Sequence, residues 1–158
     1  MIETLFLSNA VLLLAAAILF YAAVTDLKYF IIRNELIAIL GFLFFAHIAL
    51  TGRWKNIPEN IGLALVIFMF LLLFYLRRWV GGGDVKLLTV AFLWAGLENA
   101  FVFSILLCIF AALHTLVVKL GSAGAAQVGQ RDGRTRIAFA PSIAAALIGV
   151  WMLNASMR

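Results

Sequence analysis

Apolar positions in this chain come in unbroken runs rather than in stripes. The runs are Leu5–Val24, Leu36–Leu50 with only His47 inside it, Ile61–Leu76 after Pro58, Val85–Leu97 with Lys86 inside it, Ala100–Val118 and Ile137–Leu153. A bilayer core of about 30 Å, crossed at about 1.5 Å per residue, needs roughly 20 apolar residues. These runs therefore predict an all-α, polytopic transmembrane bundle of about six helices. The fourth is the shortest, and reads either as a short span or as a re-entrant piece packed inside the bundle. Between the fifth and sixth, Gly121–Arg136 is rich in Gly, Ser, Ala and Gln and carries Arg131, Arg134 and Arg136, so it reads as a mobile aqueous loop. Neither a soluble domain nor an internal repeat is visible, and residues 1–158 read as one transmembrane domain.

Composition gives the same solvent. Of 158 residues 66% are hydrophobic and 12% charged, against roughly 45–50% and 25% in soluble domains. The first run has no basic residue ahead of it, only Glu3, so it reads as a retained helix rather than a cleavable signal. A lone cysteine, Cys108, excludes both a disulfide framework and a cysteine-built zinc site.

Charge orients the bundle. If six helices alternate, Lys28, Arg33, Arg77, Arg78, Lys86, Lys119, Arg131, Arg134 and Arg136 share one side, and Arg53, Lys55 and Arg158 the other. Basic residues concentrate on the cytoplasmic side of inner-membrane proteins, which places both termini outside. With the acids counted, the whole net charge of +5 falls on the cytoplasmic side. The basic balance thus reads as topology and contact with anionic lipid, not as binding of nucleic acid. Trp54, Trp79 and Trp151 fall near span ends, where interfacial anchors are expected.

The chemistry lies at that boundary. Gly81-Gly82-Gly83 ends in Asp84, which opens the fourth run, and Asp26 closes the first. An acid at membrane depth is costly and marks a functional site. Two carboxylates at one depth on different helices cannot both ionise freely when close. One then serves as acid and the other as base, and together they activate a water against a peptide carbonyl without a metal or other cofactor. Glycines without Cβ allow a substrate backbone to approach, or a hinge to form, although three glycines between helices also make a plain turn.

Gly81-x-Gly83-Asp84 followed by Val85-Lys86-Leu87-Leu88 resembles the GxGD motif of the prepilin peptidases, membrane aspartic proteases that remove leader peptides from type IV pilins and related subunits. Asp26 to Leu36 resembles the family's other motif, an Asp at a helix end followed by a short basic loop and a turn asparagine, here Asn34. Ile137-Ala138-Phe139-Ala140-Pro141 is similar to the segment opening the family's last helix. The resemblance implies that Asp26 and Asp84 are the catalytic pair and that pilin-like precursors are the partners. Ile32-Arg33 stands where the family has a proline before the turn asparagine. The paired CxxC motifs of the large bifunctional members are absent, which implies the short, peptidase-only form associated with Tad/Flp pili and with archaeal preflagellin peptidases, lacking the methyltransferase-type domain.

Other polar residues have plainer readings. Lys86 is either a snorkelling lysine or a partner of the acids; Asn34 and Glu35 suit a helix start. His47 and His114 stand alone in apolar runs, and Ser104, Ser122 and Ser142 have no base within motif reach. Two other classes compete with a peptidase: a proton- or cation-coupled transporter using Asp26, Asp84 and Lys86, and a non-catalytic assembly protein.

Overall fold

The computed structural model describes residues 2–120, 128–131 and 134–156. It is a helical bundle: α1 is Ile2–Tyr29, α2 Asn34–Thr51 and α3 Ile57–Leu76, and one long helical segment covers Gly82–Leu120. That segment breaks at Gly96, where φ is 69° and ψ 171°, so its arms are α4 (82–95) and α5 (97–120). The last helix, α6, is Ala140–Ser156. The six expected helices are therefore present, and the fourth is short.

Gly96 reverses the chain. The rings of Phe92 and Phe103 meet edge to face with centroids 4.8 Å apart, whereas a continuous helix would separate residues eleven apart by roughly 16 Å. An L side chain at Gly96 would suffer twice, from its positive φ and from Asn60, whose Oδ1 lies 2.9 Å from where a Cβ would stand. Asn60 occupies that space for a reason: its Oδ1 accepts the N–H of Leu97, 3.3 Å away, and so caps the start of α5. Beside it Asn56 donates to Glu98 at 3.3 Å. This end of the bundle thus fastens the α2–α3 connection to the α4–α5 reversal.

Burial ranks the helices. α6 is innermost, with Ala140, Ser142, Ile143, Ala144, Ala146, Leu147 and Val150 all buried, whereas α3 buries only Ala64 and turns Leu65, Val66, Met69, Phe70, Leu73 and Leu76 outward. Such a continuous apolar surface is stable against lipid rather than water, and four segments are long and apolar enough to span a bilayer. α2, α4 and α6 are joined by Trp94, whose Nε1 donates to the carbonyl of Leu40 at 3.0 Å while its ring packs against Phe44, His47 and Trp151. Trp151 therefore belongs to the interior packing, while Trp54 and Trp79 stay exposed as expected of interfacial residues. Phe44 and Phe103 are likewise interior, and Phe42 and Phe101 face outward.

The α5–α6 connection departs from a wholly irregular loop. Val128–Arg131 and Arg134–Ile137 form a two-stranded antiparallel hairpin, β1 and β2, pairing Val128 with Ile137 and Arg131 with Arg134. Ile137 consequently ends a strand, and the last helix begins three residues later than its apolar run; residues 121–127 and 132–133 of the expected loop lie outside the described residues.

The reversal yields a prediction. Gly96→Ala is expected to destabilise the protein by about 1–3 kcal/mol through its backbone conformation and the clash with Asn60, and Asn60→Ala by about 1 kcal/mol through the lost cap. Thermal unfolding in detergent checks both, each appearing as a lowered midpoint.

Candidate active site

Asp26 sits in the last turn of α1, three residues before Tyr29, and is only 5% exposed. Its main-chain carbonyl accepts the N–H of Phe30 at 2.8 Å, closing the helix, and Phe30 then takes a left-handed φ of 53° that turns the chain away. Residues 31–33 run to α2, whose first turn opens without a side-chain cap: Arg33 is extended, at φ −74° and ψ 135°. Arg33 pairs instead with Glu35, Nε to Oε2 at 3.2 Å, on an exposed face, so neither points to chemistry. An ion pair in such a position contributes little.

The Asp26 carboxylate is held from a distant part of the chain. Its Oδ2 accepts the main-chain N–H of Ala140, the first residue of α6, at 3.0 Å in a buried contact. Sequence reasoning placed the segment around Ala140 in the family resemblance but gave Ala140 no role, because a main-chain donor leaves no side-chain signature.

Asp84 lies in the first turn of α4, half-buried, with the main-chain N–H of Val85 donating to the carbonyl of Gly81 at 3.1 Å. The three glycines are packed closely, each against a different neighbour. A Cβ at Gly81 would stand 2.9 Å from Asp84 Oδ2, one at Gly82 3.1 Å from Cε2 of Tyr75, and one at Gly83 3.0 Å from Cβ of Ile32. Gly83 thus touches the loop that follows Asp26, so the two sequence motifs meet. Lys86 strengthens the junction: its Nζ donates to Asn34 Oδ1 at 3.0 Å, a role that is neither simple snorkelling nor pairing with the acids.

One end of the bundle therefore gathers the end of α1, the 30–33 loop, the start of α2, the glycine turn, the start of α4 and the start of α6. All the residues singled out in the sequence, Asp26, Asn34, Gly81, Gly82, Gly83, Asp84 and Lys86, fall at this end. His47 lies instead against Trp94 in the interior, and Ser104 donates to the carbonyl of Ala100 at 2.7 Å. Ser142 is 2% exposed, and its hydroxyl has no hydrogen-bond partner among the described residues. No three His, Cys, Asp or Glu side chains cluster in a metal-holding arrangement among those residues.

Comparison with known families finds a match. The model of the type IV leader peptidase family matches residues 13–116, which include both motifs. The chain belongs to the type IV leader peptidase family, and its apolar helices make it a multi-pass membrane peptidase whose substrates are pilin-like precursors. No curated protein and no solved structure matches it.

The packing of the glycines predicts unequal tolerance. Gly81→Ala presses on the Asp84 carboxylate, and Gly83→Ala on an Ile32 atom bonded directly to the backbone; each is expected to lower precursor cleavage at least about tenfold, because both disturb the turn at which the two motifs meet. Gly82→Ala meets only the ring edge of Tyr75, a half-exposed side chain free to swing aside, and the loss should stay within about threefold. Cleavage rates of the three variants, normalised to protein in the membrane, check the order.

Proposed function

We propose that the protein is an aspartic endopeptidase in which Asp26 and Asp84 activate a water to cut the leader from Flp/Tad-type pilin precursors at the cytoplasmic face of the inner membrane. The observation that carries the reading is the meeting of the two motifs: Gly83 packs on Ile32 and Lys86 bonds Asn34, so the stretches that carry Asp26 and Asp84 come together at one end of the bundle. The family match supports the substrate class.

The chemistry needs one acid ionised and one protonated. The ionised carboxylate takes a proton from water as the water oxygen attacks the scissile carbonyl carbon, and the protonated one donates to the carbonyl oxygen. In the resulting tetrahedral intermediate the C–N bond breaks and the electron pair stays with nitrogen. The carboxyl that gained the water proton returns it to the departing amine, while the other, now ionised, takes a proton from a hydroxyl of the intermediate, which leaves as the new carboxylic acid and restores the starting pair. Each step balances with two carboxyl groups and one water. A leader peptide lies on the cytoplasmic side of an apolar helix, so the bond to be cut sits at the membrane boundary. The concentration of basic residues on the Asp26–Asp84 side supports a cytoplasmic placement of that end.

With Cys108 as its one cysteine, the chain offers no paired CxxC motifs, and the proposed activity is proteolysis without methylation. A transporter would need polar groups continuing through the membrane. The sequence offers His47, His114 and Ser104 for that path; His47 faces the Trp94 ring, Ser104 serves its own helix, and His114 stands half-buried on α5.

The test is cleavage of a co-expressed pilin-like precursor, scored by the mass of the product. Asp26→Asn and Asp84→Asn keep side-chain size and remove the titratable group. Each is expected to reduce cleavage at least about a hundredfold with unchanged accumulation in the membrane. Normal cleavage by either variant would rule out the pair.

A further inference from the structure

The N-terminus of α6 carries the next step. A helix begins with N–H groups that have no partner inside the helix, and in α6 the positions from Ala140 to Ile143 can be followed one by one. Ser142 and Ile143 both donate to the carbonyl of Phe139, at 3.1 and 3.3 Å. Pro141 has no N–H to offer. The N–H of Ala140 remains, and it goes to Asp26 Oδ2 at 3.0 Å. The donor is rigidly placed: Ala138, Ala140 and Ile143 are each 1% exposed or less, and α6 is the most buried helix of the bundle.

Asp26 has particular need of such a donor. It lies in the last turn of α1, where the helix presents its negative end and a carboxylate is disfavoured, while the first turn of α6 presents a positive end to it. The side chain is almost wholly shielded from water, so the protein must supply the hydrogen bonds that water would give. Pro141 removes the neighbouring donor and leaves the α6 terminus a single N–H to offer.

From this geometry we infer that the main-chain N–H of Ala140 is a positioning group for Asp26, so that α6, which lies beyond the residues matched by the family model, completes the active site. The inference rests on the proposed aspartic mechanism and assigns within it a group that helps fix the orientation of one acid. Ala140 touches neither substrate nor water; it acts through Asp26.

The test compares Ala140→Pro with Ala140→Gly in the full-length protein, purified in detergent, on a pilin-like precursor that the parent cleaves. Proline is tolerated at the first position of a helix and removes the N–H while adding ring atoms at a buried position. Glycine keeps the N–H and loses the methyl. The expected result is a kcat for Ala140→Pro roughly 10- to 100-fold below that of Ala140→Gly, with KM of the two within about threefold. A merely structural role would lower the amount of folded protein or move both variants together.

Equal kcat values for the two variants, or a difference confined to KM, overturn the inference. If Ala140→Pro fails to accumulate, the same comparison is made with the α-hydroxy acid analogue of alanine at position 140, which replaces the N–H by an ester oxygen without adding a ring; the same drop in kcat is expected, and an undiminished kcat overturns the inference. Asp26→Asn run alongside separates the two levels. Normal cleavage by Asp26→Asn refutes the mechanism and the inference with it, whereas an inactive Asp26→Asn beside equal proline and glycine variants refutes the inference alone.

Discussion

A carboxylate withdrawn from water must be solvated by the protein, and the structure at the end of the bundle that holds the candidate site follows from how Asp26 meets that demand. The acid is 5% exposed at the closing turn of α1. The N–H it accepts comes from Ala140, more than a hundred residues later. That one bond places the start of the innermost helix against the end of the first. It also agrees with the interior position of α6, whose 17 residues stand at the lower limit of what crosses a bilayer. The hairpin β1–β2 ends only three residues before Ala140, so the α5–α6 connection leads directly into the end that holds Asp26.

The second acid is brought to the same place by glycine. Three residues without Cβ allow the start of α4 to lie against Tyr75, Ile32 and the Asp84 carboxyl itself, at separations that side chains at those positions would not permit. The opposite end of the bundle uses the same device once, at Gly96, where Asn60 both fills the space and caps α5. The two ends have different tasks. Gly96 returns the chain so that α4 stays short, and the glycine run holds Asp84 beside the loop after Asp26.

Much of this was legible in the sequence, for reasons that differ by residue. Six apolar runs near the length of a bilayer gave six helices, because in hydrocarbon a backbone must satisfy its own hydrogen bonds. Asp26 and Asp84 stood out because acids are rare and costly in such surroundings, and Asn34, Gly81, Gly82, Gly83 and Lys86 lay in the motifs around them. The Ala140 donor was illegible because any residue except proline presents the same N–H. The packing of Trp151 on Trp94 was missed because span-end tryptophans look alike from the sequence whether they face the interface or a neighbouring helix. The hairpin did leave a signal, Asp132-Gly133 between residues that pair as strands, but the surrounding Gly, Ser and Ala masked it as irregular loop.

The central claim is that the glycine turn before Asp84 packs on the loop after Asp26, so that the two motifs meet at one end of the bundle. Its most direct measurement is disulfide trapping of Ile32→Cys with Gly83→Cys in a Cys108→Ser background, in native membranes under mild oxidation and read by mass spectrometry. A Cβ at Gly83 would stand 3.0 Å from that of Ile32, a little closer than the roughly 3.5–4.5 Å of a disulfide, which a small shift supplies. The account predicts rapid, near-complete formation of the 32–83 disulfide. Two cysteines that remain reduced in a folded, membrane-inserted protein would contradict it.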